Sequence, residues 1–359
     1  LRGGARLAEP GEFTKRAFLN GRIDLAQAEA VLDVIRARTD EAMRIAVRQL
    51  EGGLSKAVSE LKAGLVGLLA RIEASIDFPE DDIVELNASE VIRECEGLLS
   101  GLERLLARAE EGRIYREGLK VVITGKPNVG KSSLLNTLLR ENRAIVTEVP
   151  GTTRDAVEGV ANIRGVPICL VDTAGIREAE DVVEKAGVEV TRRFIAEADM
   201  LLAIFDASQP LEAEDLRVIK DIGEAKTIAV LNKIDLPPQL ERSTLEQAFG
   251  DNRPLRVVEL SAKVGTGIDR LEEAIVEEAF SGIERKGDGA LVANIRHKSA
   301  LERCRQHILD ALTCARSALP QDMVSIDLRE ALVELGEITG DSVGDEVIDR
   351  IFSEFCIGK

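Results

Sequence analysis

Residues 125–132 read Gly-Lys-Pro-Asn-Val-Gly-Lys-Ser, with the apolar run LKVVIT before them at 119–124 and a helical segment after them to residue 140. A glycine-bounded loop between a buried strand and a helix start aims successive backbone N–H groups and a helix N-terminus at phosphate oxygens. Gly125 and Gly130 permit a close backbone approach that a Cβ would obstruct. Lys131 is then within reach of β- and γ-phosphates, and the Ser132 hydroxyl is placed to ligate Mg2+. Glycine-rich turns recur by chance, and it is the flanking strand and helix that set this one apart from an ordinary turn.

Three later strings fit the same arrangement. PICLV at 167–171 reads as a second buried strand, and Asp172-Thr173-Ala174-Gly175 follows it. A carboxylate at that strand edge can hold the water shell of Mg2+, and the Gly175 N–H can sense a γ-phosphate. TIAVL at 227–231 is another strand and ends in Asn232-Lys233-Ile234-Asp235. The Asp235 carboxylate can accept from the N1–H and N2–H2 edge of guanine. Adenine lacks that donor pair and would leave the carboxylate unpaired. A fourth apolar run at 257–260 leads to Ser261-Ala262-Lys263, whose backbone is placed to meet guanine O6. The four strings together specify GTP rather than ATP.

Two catalytic elements are not spelled out. Many small GTPases carry a Gln directly after Asp-x-x-Gly to orient the attacking water, and here that position is Ile176. An aliphatic group cannot do this, so the group must come from elsewhere. Arg177, Glu178, Glu180, Asp181 and Glu184 lie just downstream; a carboxylate among them could reach the water, although such charge runs are usually solvated surface. The positive charge that an arginine finger supplies elsewhere could come from Arg154 or Arg177, or from a monovalent cation held by the Asn128 amide oxygen.

Gly151-Thr152-Thr153-Arg154-Asp155 stands at the place of the first switch segment. With GKPNVGKSSLLN, DTAGIRE, the opening GEFTKRAFLNGRIDLAQAEAV at 11–31 and the ending FCIGK at 355–359, it makes the chain closely resemble the bacterial tRNA-modification GTPases of the MnmE (TrmE) family. Ribosome-assembly GTPases of the Era and EngA type share the phosphate loop and GTTRD, but not the opening or the ending; a switch of that type with RNA- or protein-binding helical flanks is the alternative.

The resemblance implies a set of roles. Thr153 would complete the Mg2+ shell with Ser132 and, through water, Asp172. K+ would be held by Asn128 with Thr147, Val149 and Thr152, and would stand in for an arginine finger once two GTPase domains pair across their switch faces. Glu184 would be the general base, acting through a bridging water. Cys356 would serve modification but not hydrolysis. The nucleotide set becomes Asn128, Val129, Gly130, Lys131, Ser132 and Ser133, then Thr147, Thr152, Thr153, Asp172 and Gly175, and finally Asn232, Lys233, Asp235, Ser261, Ala262 and Lys263. The family works with a flavoprotein partner (MnmG, also GidA) to build a carboxymethylaminomethyl-type group on the wobble uridine of tRNA. Its members begin with a domain that binds a tetrahydrofolate derivative and forms a constitutive homodimer. This chain starts at Leu1, without Met, where that domain would be ending. The expectation is a chain without it, and no folate residues are assigned.

Composition bounds the partners. The net charge is −17, spread over all three parts of the chain, with no Trp and one Tyr. Nonspecific phosphate affinity should therefore be weak, and no run of aromatics marks a base-stacking sheet. A partner is expected to supply much of the tRNA surface, with Lys15, Arg16 and Arg22 as local contacts. Five dispersed cysteines without CxxC spacing argue for reduced thiols in a cytosol and against zinc. No run approaches the roughly 18 apolar residues that span a bilayer, so a cytoplasmic protein with no membrane partner is expected.

The flanks read as helical. Apolar residues recur at helical spacing from 39 to 76, including Ile45, Leu50, Leu54, Val58, Leu61, Leu65, Leu69 and Ile72. Asn87 with Glu90 resembles a capping box for a second long helix running to Arg108 or beyond. Helical spacing returns over 290–319, breaks at Pro320 and resumes at 326–355. Both flanks carry stripes that need burial. The expected architecture is an α/β P-loop GTPase domain, Ras-like with a mostly parallel sheet, inserted into an all-α helical domain. Its parts are 1–118 helical, 119–283 GTPase and 284–359 helical.

Overall fold

A computed structural model describes residues 6–77, 87–142, 159–172, 193–283, 290–317 and 319–358. The chain forms two compact units: Leu1–Ala37, Met43–Arg116 and Ile283–Lys359 in one, Arg38–Ala42 and Glu117–Gly282 in the other.

The first unit is helical. Its first helices are α1 (Glu12–Leu19), α2 (Leu25–Arg36), most of α3 (Asp40–Leu50), α4 (Gly53–Asp77), α5 (Ala88–Leu106) and α6 (Ala109–Glu117). The long stripe at 39–76 is thus two helices, not one. The chain turns at Gly52, which adopts φ +89°, a conformation that costs glycine little and other residues much. Asp24 caps α2 with a reciprocal capping box: its carboxylate accepts from Gln27 N at 2.8 Å and the Gln27 side chain accepts from Asp24 N at 3.0 Å. At the start of α5, the Asn87 side chain accepts from Glu90 N at 2.9 Å.

The later helices of this unit are α11 (Ile295–Arg316), α12 (Gln321–Thr339) and α13 (Asp345–Ser353). One core joins α4, α5, α11 and α12 through buried residues such as Leu65, Ile72, Cys95, Leu102, Cys304, Ile308, Leu328 and Leu335. A second, smaller core joins Leu25, Ala28 and Leu32 to Ile348, Phe352 and Phe355. The chain end is tied down there. Pro10 pairs with Ile357, and Gly11 N donates to the Cys356 carbonyl at 3.5 Å. Cys356 itself is exposed.

A buried ion network crosses the first unit. The Glu29 carboxylate accepts from Asn294 Nδ2 at 3.0 Å and from Arg296 at 3.1 and 2.7 Å, and it lies 2.6 Å from His297 Nε2. Burial alone would raise the Glu29 pKa, but His297 and Arg296 outweigh it and hold the carboxyl at about 2. Four residues further along α2, Asp33 accepts from Arg116 Nε at 2.8 Å.

The second unit is a six-stranded sheet in the order β2-β3-β1-β4-β5-β6. The strands are β1 (Leu119–Thr124), β2 (Gly159–Ile163), β3 (Val166–Asp172), β4 (Met200–Asp206), β5 (Thr227–Asn232) and β6 (Arg256–Glu259). Among the described residues, β2 pairs with β3 antiparallel and the other four pairs are parallel. Among the described residues its helices include α7 (Lys131–Glu141), α8 (Ala213–Ile222), α9 (Arg242–Phe249) and α10 (Ile268–Ala279). Strands β3, β4 and β5 are buried at every residue, as a parallel sheet covered on both faces requires. Four of the six strands, β1, β3, β5 and β6, are the apolar runs read from the sequence; β2 and β4 are not among those runs. In this α/β arrangement the C-terminal ends of β1, β3, β5 and β6 lie along one edge, where ligands of such sheets bind.

Candidate nucleotide site

Each of the four strings leaves the C-terminal end of a parallel strand. The loop after β1 reaches α7 through Gly130, which caps that helix at φ +102° without a side-chain hydrogen bond. A Cβ on Gly130 would lie 2.3 Å from Asn232 Nδ2, so only glycine allows the two loops to close on each other. Asn128 also adopts a positive φ, +63°, a conformation that asparagine tolerates better than most residues. Lys131 is buried, and its ammonium donates to the Gly125 carbonyl at 3.0 Å and the Lys126 carbonyl at 2.8 Å. Val129 is fully buried, while Ser132 and Ser133 are exposed on the first turn of α7.

Asp172 ends β3 and is 1% exposed, and the Ser132 hydroxyl donates to its Oδ2 at 2.9 Å. A hydroxyl and a carboxylate at this separation are two hard oxygen donors. Mg2+ is held in phosphate sites by one or two such groups together with waters and substrate oxygens, so the residues present fit that ion. Among the described residues no cluster of three or more His, Cys, Asp or Glu could hold a metal by itself.

Asn232 joins the first loop to the fourth. Its Nδ2 donates to the Val129 carbonyl at 2.8 Å, and its Oδ1 accepts from Ala262 N at 2.9 Å. Lys233, at φ +66°, donates to the Asn128 carbonyl at 2.8 Å and to Asp206 Oδ2 at 2.6 Å. Burial would raise the Asp206 pKa, but hydrogen bonds from Lys233 and Ser208 bring it below the usual range, so the carboxylate is fully ionised. The Ser261 hydroxyl, on a residue 1% exposed, donates to Asp235 Oδ1 at 2.6 Å. That bond orients an exposed carboxylate and leaves Oδ2 for a ligand. Thr137 of α7 donates to the Ala262 carbonyl at 3.0 Å, and Lys263 is exposed beside it.

The structure therefore places Asn128, Val129, Gly130, Lys131, Ser132, Asp172, Asn232, Lys233, Asp235, Ser261 and Ala262 at the ends of β1, β3, β5 and β6, tied by several separate hydrogen-bonded groups. Asp206 and Thr137 belong to these groups as well and were not singled out from sequence. The sign was there for Asp206, an acid ending the apolar run MLLAIFD. Thr147, Val149, Thr152, Thr153, Arg154, Gly175, Ile176, Arg177, Glu178, Glu180, Asp181 and Glu184 lie outside the described residues. Cys356 belongs to the helical unit.

Residues 25–356 match the family model of the MnmE helical domain. A tRNA modification GTPase MnmE of Desulforamulus reducens is 52% identical over 360 residues, covering 100% of this chain and 77% of that protein. The MnmE proteins of Geobacillus kaustophilus and Alkaliphilus metalliredigens are 50% and 49% identical, again over 100% of this chain and 77% of each relative.

Proposed function

The chain belongs to the MnmE family of tRNA-modification GTPases, and from that membership we propose how its residues divide the work. It hydrolyses GTP in the service of tRNA modification. The backbone N–H groups of the loop at 125–130 and the Lys131 ammonium receive the α-, β- and γ-phosphates. Ser132, Asp172 and Thr153 are the residues that would hold Mg2+. That ion supplies neutralisation of the charge spread over the γ-phosphoryl oxygens. Asp235, oriented by Ser261, takes the N1–H and N2–H2 edge of guanine, while Lys233 and Asn232 hold the base-side loops against the phosphate loop.

The observation that carries this reading is the double hold of Asn232 on Val129 and Ala262. It joins the loop that would receive the phosphates to the loop that would meet the base.

For hydrolysis, Asn128 with Thr147, Val149 and Thr152 would hold K+, which would supply the positive charge of an arginine finger; Glu184 would act as the general base through a bridging water, with two GTPase domains paired. A flavoprotein of the MnmG type and tRNA are the partners, and the protein acts in the cytoplasm as a homodimer. Cys356 serves the modification chemistry alone. The family match over residues 25–356 favours this reading over a ribosome-assembly switch. Among the described residues no helix is long and apolar enough to cross a membrane.

The test is the GTP hydrolysis rate in KCl and in NaCl at matched ionic strength, over a range of protein concentrations. A rate that rises with both potassium and concentration is expected. Equal rates in both salts, independent of concentration, would remove the Asn128 cation site and return Arg154 or Arg177 to its place.

A further inference from the structure

The side chain of Lys126, the second residue of the phosphate loop, has no part in the scheme above, yet the residue is only 7% exposed. Its ammonium donates to Asp215 Oδ2 at 2.9 Å and to Glu212 Oε2 at 3.0 Å. Asp215 is 3% exposed, and its Oδ2 also accepts from Glu212 N at 3.0 Å, closing the start of α8. The other carboxylate oxygen of Asp215 is buried and without a hydrogen-bond partner among the described residues. Asp215 therefore meets the Lys126 ammonium through Oδ2. Burial disfavours the Lys126 charge, but the bonds to Asp215 and Glu212 outweigh it and raise the pKa, so the ammonium stays charged at neutral pH.

The same residue faces the nucleotide site with its backbone. The Lys126 carbonyl accepts from Lys131 Nζ at 2.8 Å, beside the Gly125 carbonyl at 3.0 Å. Lys126 is thus held on two sides: its side chain fixes the loop to the first turn of α8, and its carbonyl fixes the ammonium that meets the phosphates. We propose that Lys126, Asp215 and Glu212 form a positioning clamp for the phosphate loop, acting through Lys131, which sets how tightly guanine nucleotide is held rather than how fast it is hydrolysed.

The physical reason lies in pre-organisation. A loop already fixed in its binding shape loses little conformational freedom when the nucleotide arrives, whereas an unclamped loop must be ordered at the expense of affinity. Breaking the pair also strands a buried carboxylate, which makes the clamp intolerant of partial loss. The inference rests on the guanine-nucleotide reading of the loop.

The experiment uses the full chain and its K126M, K126R and D215N variants. Release of a fluorescent GDP is followed by stopped flow, GTP hydrolysis in the steady state, and melting temperature in parallel. K126M should release GDP about tenfold faster and raise the KM for GTP to match, as expected for a lost charge-assisted hydrogen bond of about 1.4 kcal/mol. Its kcat should stay within about twofold, and K126R should return release and KM to within about threefold of the parent. D215N keeps the shape and an acceptor oxygen, so it is the variant of choice if K126M folds poorly. It should speed release several-fold.

Release and KM at parental values in K126M or D215N, with only the melting temperature lowered, would overturn the clamp. So would a tenfold loss of kcat at unchanged KM. A parent chain that retains no guanine nucleotide would overturn the nucleotide reading and the clamp with it. A parent that binds beside a K126M that binds equally well removes the clamp alone.

Discussion

Asn232 donates its Nδ2–H to the Val129 carbonyl at 2.8 Å, and this bond ties the end of β5 to the phosphate loop. Because its Oδ1 also accepts from Ala262 N, one side chain 2% exposed satisfies two buried backbone groups on different loops. Asn232→Ala strands both, at about 1–3 kcal/mol each. GDP affinity measured by calorimetry should fall at least tenfold, with a lowered melting temperature. Parental affinity would mean that the loops stay together by other means.

Ser132 Oγ and Asp172 Oδ2, 2.9 Å apart, are the described pair that fits Mg2+. Ser132→Ala keeps the helix start and removes one donor. Its GDP affinity in Mg2+ should drop to the value that the parent shows in EDTA. A variant that still gains affinity from Mg2+ to the parental degree would show that Ser132 is no ligand.

The thiols divide by environment. Burial pushes Cys95 up to about 11 and Cys304 up to about 12, and burial also raises Cys169. Cys314 is raised by burial and by Asp327 and Asp310, whereas Cys356 is exposed. A thiolate is the reactive form, so at pH 8 an aromatic disulfide reagent should find one fast thiol in the folded chain, and Cys356→Ser should abolish that phase. Two or more fast phases would contradict the burial of Cys95, Cys169 and Cys304 or the raised pKa of the half-buried Cys314.

Glu29 makes the helical unit acid-sensitive in a defined window. Its carboxyl sits at about 2 instead of the ordinary 4.5, so the stability it confers is complete above about pH 4.5 and is lost as pH falls toward 2. A depression of this size corresponds to about 3 kcal/mol. Urea unfolding at pH 7 and at pH 3 should show Glu29→Gln less stable than the parent by roughly that amount at pH 7, with the gap narrowing at pH 3. A gap that is the same at both pH values would contradict the pairing with Arg296 and His297.

The nucleotide loops were legible because their chemistry is carried by short strings at strand ends, where residue type and backbone geometry together set the function. Strand β4 escaped notice because MLLAIFD carries no nucleotide motif and an apolar run alone does not tell strand from helix. The division of the 39–76 stripe at Gly52 was equally hidden, since the apolar spacing continues across the turn. The ion pairs were beyond reach for another reason. Lys126 meets Asp215 across 89 residues and His297 meets Glu29 across 268, and nothing in a charged residue's local pattern says which opposite charge it will meet.

The central claim is that these loops hold guanine nucleotide by its base edge, and Asp235 tests it most directly. The measurement is steady-state hydrolysis of GTP and of xanthosine triphosphate by the parent and by Asp235→Asn. In the variant the acceptor pair becomes one donor and one acceptor, which suits the N1–H and C2 carbonyl of xanthine. The account predicts that the variant loses GTP by at least a hundredfold in kcat/KM, an effect of about 2.7 kcal/mol or more, and gains xanthosine triphosphate as a substrate. A variant that keeps GTP at the parental kcat/KM and ignores the xanthine nucleotide would contradict it.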